Sequence, residues 1–292
     1  MVIIAFVSDP TVRTDLRQLW LDASSASGFA PVEVPAHRLS LEVSDLGQRV
    51  LFDGAPFTPD AVVFRSAAIF MSLLSQISEI WERQGAVIVN HPSSIALAAD
   101  KVATALHLAS QGVRVVPSLG FFRGGVISGI AQSTVVKPAF GSQGRGVEFY
   151  SDSSTALDAL GTEVRAGAEQ HLVAQPFWGP SGHDLRVFVV DGRCVAAMRR
   201  HAAGDGLLNN TSQGGSGEAV EPVGEHADLA VQAVRALGLD YAGVDIIESA
   251  PLRVLEVNAL PSFTALHATT GINPADDIWR LVATRLSERR LS

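Results

Sequence analysis

The sequence of 292 residues carries a single cysteine, Cys194. One thiol closes no intrachain disulfide and builds no cysteine-based zinc site, which fits a reducing compartment. Basic charge is also scarce: 22 Lys+Arg stand against 30 Asp+Glu, a formal net charge of −8. The electrostatic attraction behind nucleic-acid and anionic-membrane binding is then repulsive overall, so neither is expected as a partner. No apolar run approaches the roughly 18 residues that span a bilayer. The apolar start, Met1 to Asp9, lacks a basic n-region and is cut short by Asp9-Pro10, so it reads as a first strand and not as a signal peptide. A soluble cytoplasmic protein is the expectation. A dinucleotide fingerprint is missing as well: Ser8-Asp9-Pro10-Thr11 gives a pyrophosphate no bare backbone after the first strand.

Apolar residues are plentiful, at 47% against 18% charged, with a mean hydropathy of +0.24. A sizeable core is expected. Up to about Asn90, short β-branched runs (Val2–Val7, Ala61–Phe64, Ala86–Val89) alternate with helical patterns near Thr11–Ala23 and Ala68–Arg83, the signature of a parallel sheet with crossover helices. Next comes an Ala-rich helix, capped by Ser93 or Ser94 and running to Gln111. Strands are expected at Val113–Val116, Ser133–Lys137 and Val147–Tyr150, with a helix near Thr155–Ala168. From His171 onward strands dominate: Leu172–Gln175, Leu185–Val190, Arg193–Arg200, Ala242–Glu248 and Arg253–Asn258, with helices at Glu225–Leu237 and Pro274–Arg289. The Gly/Asn/Ser-rich stretch between Ala202 and Val220 is long enough to suggest a functional or disordered loop.

Three segments carry chemistry. In Lys137-Pro138-Ala139-Phe140-Gly141-Ser142-Gln143-Gly144-Arg145-Gly146 a strand ends in a lysine and a glycine-rich loop follows. Bare glycine backbone can approach phosphate oxygens, and the lysine adds a point charge. Because a strand follows the loop, neither a Walker A loop nor a Rossmann turn fits; an ordinary hairpin is the alternative. Second, Glu256 and Asn258 share one face of a strand, and folding about Ser249-Ala250-Pro251 sets Asp245 opposite Glu256. Opposed carboxylates with an amide oxygen suit Mg²⁺, and their apolar flanks argue against a solvent-facing hairpin. Third, Arg186 and Arg200 sit in strands otherwise built for burial and need anions, either a ligand or partners such as Asp184 and Glu218.

Asp100-Lys101, the Lys137–Gly146 loop, Asp184-Leu185-Arg186-Val187-Phe188, Asn210 before Gly214-Gly215, Tyr241-Ala242-Gly243-Val244-Asp245 and Leu255-Glu256-Val257-Asn258-Ala259-Leu260-Pro261 occur in one order. Together they resemble the ATP-grasp superfamily, most closely its RimK-like branch of carboxylate–amine ligases, over roughly Asn90 to Pro261. The resemblance implies an α/β fold with α+β character in the C-terminal part: an N-terminal parallel-sheet domain over 1–90, a central subdomain with the glycine-rich lid over 91–174, and a C-terminal subdomain with the metal site over 175–292. It implies that Lys101 and Lys137 hold ATP phosphates and that Gly141, Ser142, Gly144 and Gly146 close over them. Gln175, Pro176, Phe177 and Trp178 become a hinge whose backbone meets the adenine edge. Asp184 would contact the ribose region and Asn210 the nucleotide, while Arg200 would face the transferred phosphate. Asp245, Glu256 and Asn258 would bind Mg²⁺, as two ions, with Mn²⁺ the alternative. Two features depart from the branch: Leu208 and Gln213 stand where glutamate ligases carry basic residues, and Pro176 replaces an acidic hinge residue.

The implied reaction makes an acyl phosphate from a carboxylate and ATP and then an amide, on an amino acid or small peptide, with no protein nucleophile. Cys194 is accordingly expected in the core. Arg65, at a strand's C-terminal end, is the candidate for a substrate carboxylate, with a structural ion pair as the alternative. Asn209, Asn210 and Ser212 are further substrate contacts, and His201 and His267 candidates for taking up the amine proton. The rivals are an ATP-grasp enzyme acting on a precursor peptide, an ATP-grasp kinase, and a non-catalytic nucleotide-binding module. Small-molecule or peptide substrates are the expected partners, and homo-oligomerisation is compatible with the sequence.

Overall fold

The computed structural model of the chain describes residues 2–9, 12–45, 47–65, 70–122, 133–141, 145–161, 171–177, 183–201 and 216–291. The N-terminal part runs β1 (Ile4–Ser8), α1 (Thr14–Ala26), β2 (Val32–Pro35), β3 (Leu39–Ser44), β4 (Gly47–Phe52), β5 (Ala55–Pro56), β6 (Ala61–Arg65), α2 (Met71–Arg83) and β7 (Val87–Val89). Strands β2-β1-β6-β7 form the expected parallel sheet, and β3-β4-β5 form a separate antiparallel meander. Ser8 pairs with Arg65, so both stand at the C-terminal edge of the sheet, where α/β sheets take ligands.

The expected single helix after Asn90 is two helices, α3 (Pro92–Ala99) and α4 (Lys101–Ser110). The cap of α3 is His91, whose ring accepts from the Ser93 amide at 3.2 Å, in place of Ser93 or Ser94. Asp100, with φ −95° and ψ 112°, interrupts the run and accepts from the amides of Val102 at 2.8 Å and Ala103 at 3.1 Å. Alanine favours helix throughout, but a short carboxylate that satisfies the amides of a new N-terminus wins locally. Lys101 thereby becomes the first residue of a helix.

The next sheet has the order β10-β9-β11-β8, from β8 (Leu119–Phe121), β9 (Thr134–Pro138), β10 (Glu148–Tyr150), α5 (Ser153–Gly161) and β11 (Leu172–Pro176). The strand expected at Val113–Val116 is reduced to one bridge, Val115 with Val254. The last sheet has the order β14-β13-β12-β15-β16, from β12 (His183–Val190), β13 (Arg193–His201), β14 (Ser216–Val220), β15 (Tyr241–Ile247) and β16 (Arg253–Asn258), with helices α6 (Glu225–Ala236), α7 (Thr264–Thr270) and α8 (Pro274–Leu291). All its neighbouring strands are antiparallel.

Two large apolar clusters each draw on both the first and the last sheet. Val62 and Phe64 pack with Leu185, Val187 and Val244 in one; Phe6 and Val63 pack with Phe188, Tyr241 and Trp279 in the other. The β8–β11 sheet keeps a small cluster of its own, Val136, Ala156, Leu160, Leu172 and Ala174.

Fully buried Asn90, at the end of β7, ties the two ends of the chain together. Its amide donates to the carbonyls of Tyr241 (2.8 Å) and Ala259 (3.1 Å), and its oxygen accepts from the amides of Asp240 (2.6 Å) and Tyr241 (3.1 Å). Asn90→Ala strands these four groups away from water and is expected to cost about 3 kcal/mol or more of unfolding free energy, read by urea denaturation; a loss under about 1 kcal/mol would contradict this account.

Candidate active site

The register of the last sheet builds the site. Side chains alternate along a strand, so Leu185, Val187, Val244, Ile246 and Val257 enter one core while Phe188, Met198 and Tyr241 enter the other. On the face of Phe188 and Tyr241, toward one end, the apolar side chains give way to charges. Asp184 pairs in register with Arg200, Arg186 with Asp245, and Asp245 with Glu256. The Asp245–Glu256 pairing is the expected one, and Asn258, two residues on, pairs with Gly243.

These charges bond to one another. Arg186 donates twice to Asp245, both at 2.7 Å. Arg200 donates to Asp184 at 2.7 and 2.6 Å and reaches Asp245 at 2.9 Å. Asp184 and Arg200 are 4% exposed and Asp245 5%, so only pairing makes their charge tolerable. Of the partners expected for the arginines, Asp184 serves Arg200, whereas Glu218 bonds Arg199 instead. Burial alone raises the Asp245 carboxyl, but the guanidiniums of Arg186 and Arg200 more than reverse this and hold it below the usual range. At Asp184 burial prevails over Arg200 and pushes the carboxyl up. The Arg200 guanidinium is harder to deprotonate than usual, because the two carboxylates outweigh its burial. Gly243 leaves room for this row: a Cβ there would lie 3.1 Å from Pro261 Cβ and 3.7 Å from Arg186 Nε.

Opposite stands the β8–β11 sheet. Val136, Leu172 and Ala174 face its own small core, which puts Lys137, Val173 and Gln175 on the other side. Lys137 is partly buried, and desolvation pushes its ammonium down; Glu256, Asp245 and Asp184 raise it, while Lys101 lowers it. It therefore lies within electrostatic reach of the row's three carboxylates. Lys101 arrives from α4: its amide donates to Ala139 O at 3.1 Å and its ammonium to Gly141 O at 2.7 Å. A pocket lined by Lys101, Val116, Ser118, Gln175, Leu255 and Glu256 joins these elements.

Gln175, at the end of β11, is buried, and its side-chain amide donates to Ser118 Oγ at 2.9 Å. Pro176 has no N–H to donate, and the Phe177 amide is spent on Ser133 O at 2.8 Å, so neither residue has an amide to offer an adenine edge. Gly141 and Gly146 have positive φ, 137° and 70°, which a glycine adopts without strain. Ser142, Gly144, Trp178, Leu208, Asn209, Asn210, Ser212 and Gln213 lie outside the described residues. Arg65 ends β6 with a buried Nε that has no partner among the described residues, although Asp9 and Tyr241 act on its charge. His201 lies 3.6 Å from Glu218 and is well exposed; the buried Nδ1 of His267 has no partner among the described residues.

The metal expectation rests on donor chemistry. Asp245, Glu256 and Asn258 offer hard oxygens on one sheet face, in register. Mg²⁺ commonly uses one or two protein carboxylates and takes its other ligands from phosphate and water, so a site whose carboxylates are shared with arginines fits a metal carried by a polyphosphate. Sequence reasoning missed the Asp100 cap, for which an aspartate inside an alanine run was the available signal, and the contacts of His171, whose Nε2 lies 3.0 Å from Asp100 Oδ2. Cys194 packs against the core with Sγ 3.5 Å from Ala227 O, and burial pushes its thiol up to about 11. At pH 8 its thiolate fraction should be about a hundredfold below that of an ordinary thiol. Iodoacetamide labelling followed by mass spectrometry should be correspondingly slow and accelerate toward pH 11; labelling at the rate of free cysteine would refute this.

A family model described as a RimK-like ATP-grasp domain matches residues 125–282. A probable alpha-L-glutamate ligase of Mannheimia succiniciproducens is 34% identical over 193 residues, 64% of this chain and 64% of that one. A probable alpha-L-glutamate ligase of Xanthomonas campestris pv. campestris is 33% identical over 285 residues, 94% of this chain and 96% of that one. The structure of the ATP-grasp ligase PsnB complexed with minimal precursor, Mg and ADP shares the fold, with a TM-score of 0.70 at 20% identity over 97% of this chain and 98% of that one. One-third identity over nearly the whole length, with the domain match across the very strands that carry the charged row, places the chain in the RimK-like ATP-grasp ligase family.

Proposed function

We propose that the protein joins a carboxylate to an amine with ATP, releasing ADP and phosphate, by way of an acyl phosphate. The observation that carries this reading is the buried row Asp184–Arg200, Arg186–Asp245 and Glu256 facing Lys137, with Lys101 alongside. Four cations meet three carboxylates there, a balance suited to a polyanion that brings its own metal.

The chemical problem is to bring a carboxylate up to a triphosphate, both anionic. Lys137 and Lys101 would hold the phosphates, and Arg200 would turn its charge toward the phosphoryl group in transfer. Bound Mg²⁺, held by Asp245, Glu256 and Asn258, supplies further charge neutralisation on the phosphates. Two ions are part of the proposal, with Mn²⁺ as a substitute. Asp184, whose oxygens each accept one bond from Arg200 and can accept another, would contact the ribose region. The adenine edge falls to the remaining backbone of Gln175 to Trp178, since the Phe177 amide is taken. Gly141 and Gly146 belong to the segment that would cover the phosphates, with Ser142 and Gly144 between them, and Asn210 is a further nucleotide contact. Excluding water protects the acyl phosphate from hydrolysis.

Arg65 is proposed to bind a substrate carboxylate, supported by a buried Nε with no partner among the described residues, at the ligand edge of the parallel sheet. Asn209 and Ser212 are proposed as further substrate contacts. The substrates proposed are an amino acid or small peptide; the fold shared with PsnB keeps a precursor-peptide acceptor as the second reading. The division at 1–90, 91–174 and 175–292 belongs to the same proposal. Among the described residues no helix is long and apolar enough to cross a membrane.

An ADP-release screen over amino acids and short peptides, with mass spectrometry of the products, tests the reaction; release of a phosphorylated product without amine dependence would point to a kinase instead. Asp245→Asn and Glu256→Gln are each expected to lower turnover by orders of magnitude, about 10²-fold or more; circular dichroism should be unchanged in Glu256→Gln, whereas Asp245→Asn should also lower Tm, because it takes the anionic partner from Arg186 and one of two from Arg200. Near wild-type turnover of either would overturn the metal assignment. Arg65→Ala should raise KM for one carboxylate substrate about tenfold or more and leave KM for ATP unchanged; a fall in Tm with normal kinetics would make Arg65 structural.

A further inference from the structure

The two lysines assigned to the phosphates come from different elements, and the charge of Lys101 disfavours the protonated form of Lys137. Something must hold them together before a polyanion arrives. At Ala139, two residues after Lys137, the carbonyl accepts from the Lys101 amide at 3.1 Å while the amide donates to His171 O at 3.0 Å. The side chain of His171 reaches the other way, with Nε2 3.0 Å from Asp100 Oδ2, the carboxylate that starts the helix bearing Lys101. Its ring also meets Phe140 edge-on at 5.6 Å and Phe122 at 6.0 Å. Phe140 leads directly into Gly141, whose carbonyl takes the Lys101 ammonium.

We infer that His171 is a positioning residue: it clamps the N-terminus of α4 to the exit of β9 and so fixes Lys101 and Lys137 at one separation, ready for adjacent phosphates. The inference rests on the nucleotide reading of the site. The clamp uses both ends of one residue, its backbone on Ala139 and its imidazole on Asp100, so a shift of β11 carries α4 and β9 along together. Asp100 is well suited to the task, because one oxygen caps the helix and the other takes the imidazole. Removing the ring leaves the cap and the backbone bond in place and frees only the tie between them. Lys101 would bind phosphate about equally in ground and transition states, so losing its placement should raise KM for ATP more than it lowers kcat.

The test measures binding of Mg·ADP by calorimetry, well below each variant's Tm, alongside steady-state kinetics. His171→Ala is expected to weaken Mg·ADP about tenfold and to raise KM for ATP similarly, with kcat within about twofold. His171→Gln, whose amide can reach Asp100, should recover most of the affinity. Asp100→Asn keeps the cap acceptor but removes the anionic partner; combined with His171→Ala it should bind no more weakly than the poorer single variant. Wild-type affinity in His171→Ala, equal losses in the alanine and glutamine variants, or additive losses in the double variant would each overturn the inference. If His171→Ala does not fold, the glutamine and Asp100→Asn variants decide it by the same criteria. Failure of the wild-type protein to bind Mg·ADP would instead refute the nucleotide reading itself.

Discussion

Everything at the site depends on charges that have been taken out of water and paired across strands. An isolated buried carboxylate or guanidinium costs several kcal/mol, and a sheet that accepted one alone would not stay folded. Arg186 and Arg200 each find carboxylates on a neighbouring strand, and Asp245 is shared by both. The row is therefore specified by register. A slip of one residue in β12 would send Asp184 and Arg186 into the apolar core and bring Leu185 and Val187 out among the charges. The same cross-strand geometry that forms the sheet thus fixes the charges where a polyphosphate has use for them.

The rest of the chain makes that row rigid from behind. Both large cores are built jointly by the parallel sheet and the five-stranded sheet, and Asn90 and the Trp279–Trp20 contact bind them further. Arg285, on α8, bonds Asp240, next to the backbone that Asn90 holds. Against this block the β8–β11 sheet contributes Lys137 and the entry to the glycine-rich loop, and among the described residues its strands take almost no part in the shared apolar clusters. Its attachment near the site is chiefly polar, through Lys101, Ala139 and His171.

Much of this arrangement was legible in the sequence because it rests on a period of two. Asp245 against Glu256, with Asn258 on the same face, follows from counting back from a turn, and the structure pairs them so. The parallel N-terminal sheet and the strand that ends in Arg65 follow from β-branched runs alternating with helical patterns. What escaped was decided by capping and by short-range competition. Asp100 breaks an alanine-rich helix that composition alone runs through, and Val113–Val116 is too short of partners to make more than one bridge. The β3–β4 hairpin was not among the expected strands although Leu39, Leu41 and Val43 alternate with polar residues; its few buried side chains give the pattern little weight. The partners of Arg186 and Arg200 were narrowed to nearby acids, but Asp245, distant in sequence, becomes a partner only through the β12–β15 pairing.

The small separate core of the β8–β11 sheet has an energetic consequence. Among the described residues five buried side chains form it, whereas the two joint cores run through most of the remaining elements. A sheet with so small a described core is expected to open as its own unit, at a free energy below that of global unfolding. A nucleotide gripped by both Lys137 and the charged row would bridge the weakest unit to the strongest, and its binding energy would then be added where the protein has least of its own.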